Sequence, residues 1–155
     1  MKLRSTAFEH LAVIPHLYTC MGEELSPPLS WEDPPVETKS FALYMEDISI
    51  PWHLATHWIL YNIPPDKRGI LENVPRETVS PEGMVQARNS YLKNSYLGPC
   101  PPWGSHRYEF TLYALDQMLE PDPRTTRRRF LRSIKGHVLG EAHLIGVYSR
   151  KGSSG

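Results

Sequence analysis

Fifteen prolines in 155 residues, several of them in adjacent pairs, decide most of what this chain can fold into. Proline has no backbone N–H for a helix or a sheet ladder, and it biases the residue before it away from helix. Pro27-Pro28, Pro34-Pro35, Pro64-Pro65 and Pro101-Pro102 therefore divide the chain into short segments joined by stiff loops. A helical bundle is excluded. A hydrophobic fraction of 40% with 10% aromatics is too rich for a disordered chain.

Between the proline joints the apolar residues alternate, the period of a strand. Ser40 to Glu46 places Phe41, Leu43 and Met45 on one side. Thr56 to Ile63 places His57, Ile59, Tyr61 and Ile63 together and stops at Pro64-Pro65, which cannot extend a ladder. Arg107 to Leu115 alternates around Tyr108, Phe110, Leu112 and Ala114. His143 to Ser149 adds another strand, and Lys2 to Phe8 an edge strand. The expected class is mainly β, two antiparallel sheets in a sandwich, as one domain over residues 1–150 with a flexible tail at 151–155. One helix is expected at about 123–135, with Asp122 as N-cap, Pro123 at its first position and Gly136 at its end. Phe130, Leu131 and Ile134 form its apolar stripe. Arg124, Arg128, Arg132 and Lys135 read as a solvated face.

Seventeen basic residues balance seventeen acidic ones, a formal net charge of zero. That excludes the strong field of a dedicated nucleic-acid binder, and it gives no reason for stable attachment to anionic membranes. No apolar run approaches the length of a membrane span, and the first residues do not read as a secretory signal. Cys20 and Cys100 are the only cysteines. They are read as reduced thiols of a cytoplasmic protein. Phosphate loops, dinucleotide fingerprints, nucleophile elbows, His-Glu-x-x-His and paired Cys-x-x-Cys units are all missing. No cofactor and no metal is expected.

Two segments remain that carry chemistry: Met45-Glu46-Asp47-Ile48-Ser49-Ile50-Pro51 with His57-Trp58 after it, and Gly98-Pro99-Cys100-Pro101-Pro102-Trp103-Gly104-Ser105-His106-Arg107-Tyr108. Each sets a histidine at the opening of a strand beside a proline-rich loop. Two imidazoles and a carboxylate at one rim can donate to an anion, helped by backbone N–H groups near Gly98 and Gly104. They can also hold a metal, or with Ser105 form a hydrolytic triad, so a metal-dependent or His/Asp-assisted hydrolase is the alternative to a binding protein. A His53–His57 metal pair is disfavoured because Trp52 to Ile63 runs from loop into strand. His10, His16, His137 and His143 read as structural or exposed. Trp31 and Trp58 read as core, and Trp103, beside Gly104, as lining a pocket mouth.

At these two segments the sequence resembles the phosphatidylethanolamine-binding protein (Raf kinase inhibitor-like) family, most closely its shorter prokaryotic members. The resemblance runs through Ser26-Pro27-Pro28-Leu29-Ser30-Trp31, Lys39-Ser40-Phe41-Ala42-Leu43, His57 to Pro64, the Gly98 to Tyr108 segment and Gly136-His137-Val138-Leu139. It implies two antiparallel sheets with peripheral helices and a small pocket for anions such as phosphate or a phospholipid headgroup. Carried over by position, the ligand residues are Asp47, His57, Gly98, Pro99, His106 and Tyr108, with Pro51 and Tyr148 on the wall, to which the loop reading above adds Trp103. It further implies a non-catalytic regulator of a kinase or protease, and a homodimer. The chain departs from the family's Asp-Pro-Asp-x-Pro loop, reading Asp47-Ile48-Ser49-Ile50-Pro51, with Ser49 in place of the second carboxylate.

Overall fold

The computed structural model describes residues 1–50 and 55–150. Eight strands and one helix are formed among them: β1 (Lys2–Arg4), β2 (Leu29–Glu32), β3 (Ser40–Asp47), β4 (Thr56–Ile63), β5 (Gly69–Ile70), β6 (Val85–Gln86), β7 (Ser105–Leu115), α1 (Arg127–Ile134) and β8 (Val138–Ser149). They make a three-stranded sheet in the order β1-β2-β5 and a five-stranded sheet in the order β6-β4-β3-β7-β8. All these strand pairs are antiparallel.

The five-stranded sheet has two apolar faces, so β3 and β4 are buried along their whole length. One face packs Phe41, Leu43, Met45, Phe110 and Leu112 against Leu3, Leu29, Trp31 and Ile70 of the small sheet. The other packs Ala42, Tyr44, Ile59 and Tyr61 against Phe130 and Ile134 of α1. The molecule is thus layered as small sheet, large sheet, helix.

Strand β4 does not keep a simple alternation. Met45 pairs with Trp58 and Leu43 with Leu60, but Glu46 pairs with Thr56 and Phe41 with Ile63. One extra residue is inserted at each end of β4, at His57 and at Asn62. Asn62 has φ 59°, the left-handed backbone that asparagine tolerates better than most residues. Its side chain donates to Leu119 O (2.9 Å) and accepts from Leu119 N (2.8 Å), which fixes this bulge. A bulge flips the alternation beyond it. Of the four residues expected on one face, only Ile59 and Tyr61 share the helix side, and Ile63 joins the inter-sheet core.

Three boundaries differ from the sequence expectation. The helix begins at Arg127, not near residue 123, because the segment before it is spent on a turn. There the Asp122 carboxylate accepts the Arg124 N–H (2.9 Å), and the Tyr61 hydroxyl binds both Asp122 backbone groups. The first strand ends at Arg4, and residues 11–14 instead run beside β8, where Leu11 and Ile14 donate to Ile145 O and Val147 O. Finally, β8 starts at Val138 because it pairs with β7 down to Leu115.

Replacing Asn62 by alanine would leave the Leu119 N–H and C=O without partners in a buried place. The substitution should cost about 2–6 kcal/mol, since each of the two unsatisfied buried groups costs about 1–3 kcal/mol. A shift of the urea unfolding midpoint with unchanged slope checks it.

Candidate functional site

Beyond Met45 the inter-sheet face of the large sheet runs past the apolar core and ends in polar side chains. Asp47 continues the Phe41-Leu43-Met45 row and lies opposite Tyr108 on β7. Two residues before Tyr108, on the same face, stands His106, which is paired with Tyr148 of β8. A regular β4 would put His57 with Ile59 on the helix side. The bulge at His57 returns it to the Trp58 side, where its ring meets Tyr108 edge-on at 5.2 Å between centroids.

A cavity of about 380 Å³ opens here. Asp47, His57, Ser90 and Tyr108 supply its polar surface. Ile50, Ala55, Tyr91, Leu97, Gly98, Cys100, Pro101 and Pro102 complete the lining. Asp47 is held at both oxygens: Oδ1 accepts the Ser49 N–H (2.8 Å) and Oδ2 accepts His106 Nδ1–H (2.6 Å). His57 Nδ1 lies 2.7 Å from Leu97 O. A carbonyl only accepts, so Nδ1 carries the proton and Nε2 is the ring nitrogen left for a ligand. Burial lowers the His57 pKa from its usual value, opposed by the Leu97 carbonyl and the Asp47 carboxylate. Burial, then the Asp47 charge, raises that of Tyr108, so its phenol stays neutral.

The remaining expected residues are placed differently. His106 is 6% exposed and does not line the cavity; it stacks on Tyr108 and orients Asp47. The Gly98 N–H is engaged by the Glu24 carboxylate (2.9 Å), which takes it away from a ligand. A side chain at Gly98 would meet Tyr18 O at 2.8 Å, so this glycine serves a close approach of two backbones. Pro99 is buried behind the wall, its carbonyl accepting the Cys20 N–H. Trp103 is 74% exposed and touches His106 edge-on. Tyr148 is buried away from the cavity and shares a hydrogen bond of 2.7 Å with His16. Pro51 and His53 lie outside the described residues. Ser49, at the position where the acidic loop departs from the family pattern, accepts the Arg107 N–H through its hydroxyl (2.8 Å) and ties that loop to β7.

Cys20 and Cys100 are joined in a disulfide, with Cα atoms 5.5 Å apart, against the expectation of reduced thiols. The pair is far apart in sequence, and only the fold brings residues 18–20 beside residues 96–100. The cytoplasmic reading loses the thiol argument it rested on. Glu24, Leu97, Ser90 and Tyr91 went unnoticed in the sequence because none belongs to a recognisable motif. Among the described residues no three His, Cys, Asp or Glu side chains are grouped to hold a metal, and no helix is long and apolar enough to cross a membrane.

The family model for phosphatidylethanolamine-binding protein matches residues 4–149. A UPF0098 protein of Methanothermobacter thermautotrophicus is 49% identical over 150 residues, covering 97% of this chain and 99% of that protein. A UPF0098 protein of Chlamydia muridarum is 38% identical, covering 97% and 99%. Among solved structures, a phosphatidylethanolamine-binding protein homologue from Chlamydia trachomatis superposes with a TM-score of 0.85 at 35% identity, over 96% of this chain and 97% of that one. Escherichia coli YbcL, described as a member of the mammalian family, gives 0.88 at 26% identity, with the same coverage.

The lowered His57 value has a sign that can be tested. The folded state binds this proton less tightly than the unfolded state. The resulting stability is complete above about pH 6.5, the ordinary imidazole value, and is lost as pH falls toward the folded-state value. A His57→Phe variant should therefore lose less stability than its parent between about pH 7.5 and about pH 5, as read from urea midpoints.

Proposed function

We propose, from the premise that the chain belongs to the phosphatidylethanolamine-binding protein family, that it is a non-catalytic binding protein whose cavity takes a small oxyanion, a phosphate or a phospholipid headgroup. The observation that carries this reading is the state of His57. With Nδ1–H spent on the Leu97 carbonyl, the neutral ring offers a ligand only the lone pair of Nε2. On taking up a proton it becomes a charged donor at the floor of a cavity with largely apolar walls. Charge-assisted hydrogen bonds of this kind are worth roughly 1.5–3 kcal/mol each. His106 keeps Asp47 in place, and Asp47 lies close enough to favour the His57 proton. Tyr108 stays protonated beside them.

The apolar rim suits a headgroup ester. Ile50, Tyr91, Pro101 and Pro102 offer surface to the uncharged remainder of such a ligand, while the oxyanion reaches His57. Hydrolysis has less support: among the described residues the one aliphatic hydroxyl lining the cavity is that of Ser90, which accepts the Thr56 N–H. Modulation of a kinase or protease would follow from a partner docking over this rim.

Binding should be linked to proton uptake. Sulfate has no proton to donate at neutral pH and must wait for protonated His57. Its affinity should fall toward about tenfold per pH unit above the His57 value. Phosphate still carries a P–O–H that can donate to neutral Nε2, so its affinity should fall less steeply. Calorimetric titrations of sulfate, phosphate and phosphoethanolamine from about pH 5.5 to about pH 8 check this. Folded His57→Ala should lose sulfate binding. Sulfate affinity flat across the range, or retained without His57, would overturn the reading.

A further inference from the structure

We infer that the Cys20–Cys100 disulfide is a thiol–disulfide exchange site that opens and closes one wall of the cavity, an inference that rests on the cavity's role as an oxyanion site. Cys100 lines the cavity between Gly98 and the Pro101-Pro102 pair. It is exposed, while Cys20 is half-buried, so an incoming thiolate reaches the Cys100 sulfur first.

The reason the disulfide governs the wall lies in the proline count. Three of the four residues 99–102 are proline and have no N–H to donate. The segment is held at its start, where Leu97 N–H donates to His57 O and Gly98 N–H to the Glu24 carboxylate. From Pro99 onward the attachments among the described residues are the Cys20 N–H to the Pro99 carbonyl, the Cys100 N–H to the Tyr108 hydroxyl, and the disulfide. Two of these three run through Cys20. The covalent link therefore does the seating that backbone hydrogen bonds do elsewhere in this fold.

The reactant is a small dithiol. One of its thiolates attacks Cys100 Sγ, the S–S bond breaks, and Cys20 leaves as a thiolate that takes a proton. The second thiol of the reductant then displaces Cys100, which is protonated in turn. The protein gains two electrons and two protons, and the dithiol becomes a disulfide. Cys100, Pro101 and Pro102 are then free to swing from the cavity, and exchange with a small disulfide, which takes up the two electrons and two protons, returns them.

The test compares oxidised protein, dithiothreitol-reduced protein with two free thiols counted, and the Cys20→Ser/Cys100→Ser variant. Short-time hydrogen exchange is read on peptides spanning residues 17–25 and 96–104, against peptides spanning 40–47 and 105–115. Sulfate titrations are run on the same samples. Reduction should speed exchange in the first pair only. It should weaken sulfate binding at least about tenfold if the wall is then open nine-tenths of the time, with recovery on reoxidation. The double variant should match the reduced protein with or without dithiothreitol. Unchanged exchange at residues 96–104 would overturn the inference. So would equal loss of protection in 40–47 and 105–115, which would make the disulfide a global staple. Failure of the oxidised protein to bind sulfate would instead strike the proposed ligand, while the exchange data still decide whether the wall moves.

Discussion

One extra residue in β4 is the constraint on which the site depends. The central strands β3 and β4 are buried on both faces of the large sheet, so each of their positions is committed to one layer or the other. A histidine in regular alternation with Ile59 would lie on the helix side, with the sheet between it and Asp47. The bulge re-aims that single side chain without moving Trp58, Ile59 or Leu60 from the layers they fill. It also places His57 where both its backbone and its ring can bind Leu97. Leu97 N–H donates to His57 O, and Leu97 O accepts from Nδ1. The proline-rich wall is thus anchored to the same residue that faces the cavity.

Protonation follows from this anchoring. Both histidines donate Nδ1–H to a fixed oxygen, His57 to a carbonyl and His106 to a carboxylate. The two acceptors give the rings different tasks. The Asp47–His106 pair is buried, with both side chains under 10% exposed, and each partner satisfies the other. Breaking one half of such a pair is far costlier than the pair's net contribution, so its use is in geometry more than in stability. His57 Nδ1 is bound to a neutral carbonyl, so its charge is opposed by burial and favoured only by that carbonyl and by nearby carboxylates such as Asp47.

Much of the architecture is legible in the chain. The proline pairs delimit β3, β4 and β7, whose observed bounds lie within two residues of those read from alternation. Asp47, His57 and Tyr108 can be gathered from their motifs, and the structure sets all three on one cavity. What the chain hides is what depends on the third dimension. A bulge leaves no period to count, so Ile63 is misassigned to the face of Tyr61. The Gly98 N–H looks available until Glu24, seventy-four residues away, is folded against it. Two cysteines eighty residues apart carry no spacing rule, and their union at the cavity wall follows only from the pairing of distant segments. Asp122 has the chemistry of an N-cap, and the Tyr61 hydroxyl decides that it closes a turn instead.

The disulfide and the charge distribution together bear on how a chain of zero net charge would hold the proposed anion. The bond ties Cys100 to the segment at Cys20 and so helps seat a wall that has few hydrogen bonds. The concentrated positive charge of the chain lies on α1, where Arg128, Arg132 and Lys135 are exposed. That helix packs on the opposite face of the large sheet from the cavity. Packed layers lie about 10 Å apart, and physiological salt screens over about 8 Å, so those cations contribute little at the site. Recognition of the proposed anion would then be short-ranged, resting on a proton at His57 and on a wall kept closed. Both would be controlled locally, one by pH and the other by a bond that Cys100 presents to solvent. The basic helix is left to solvate the outer layer.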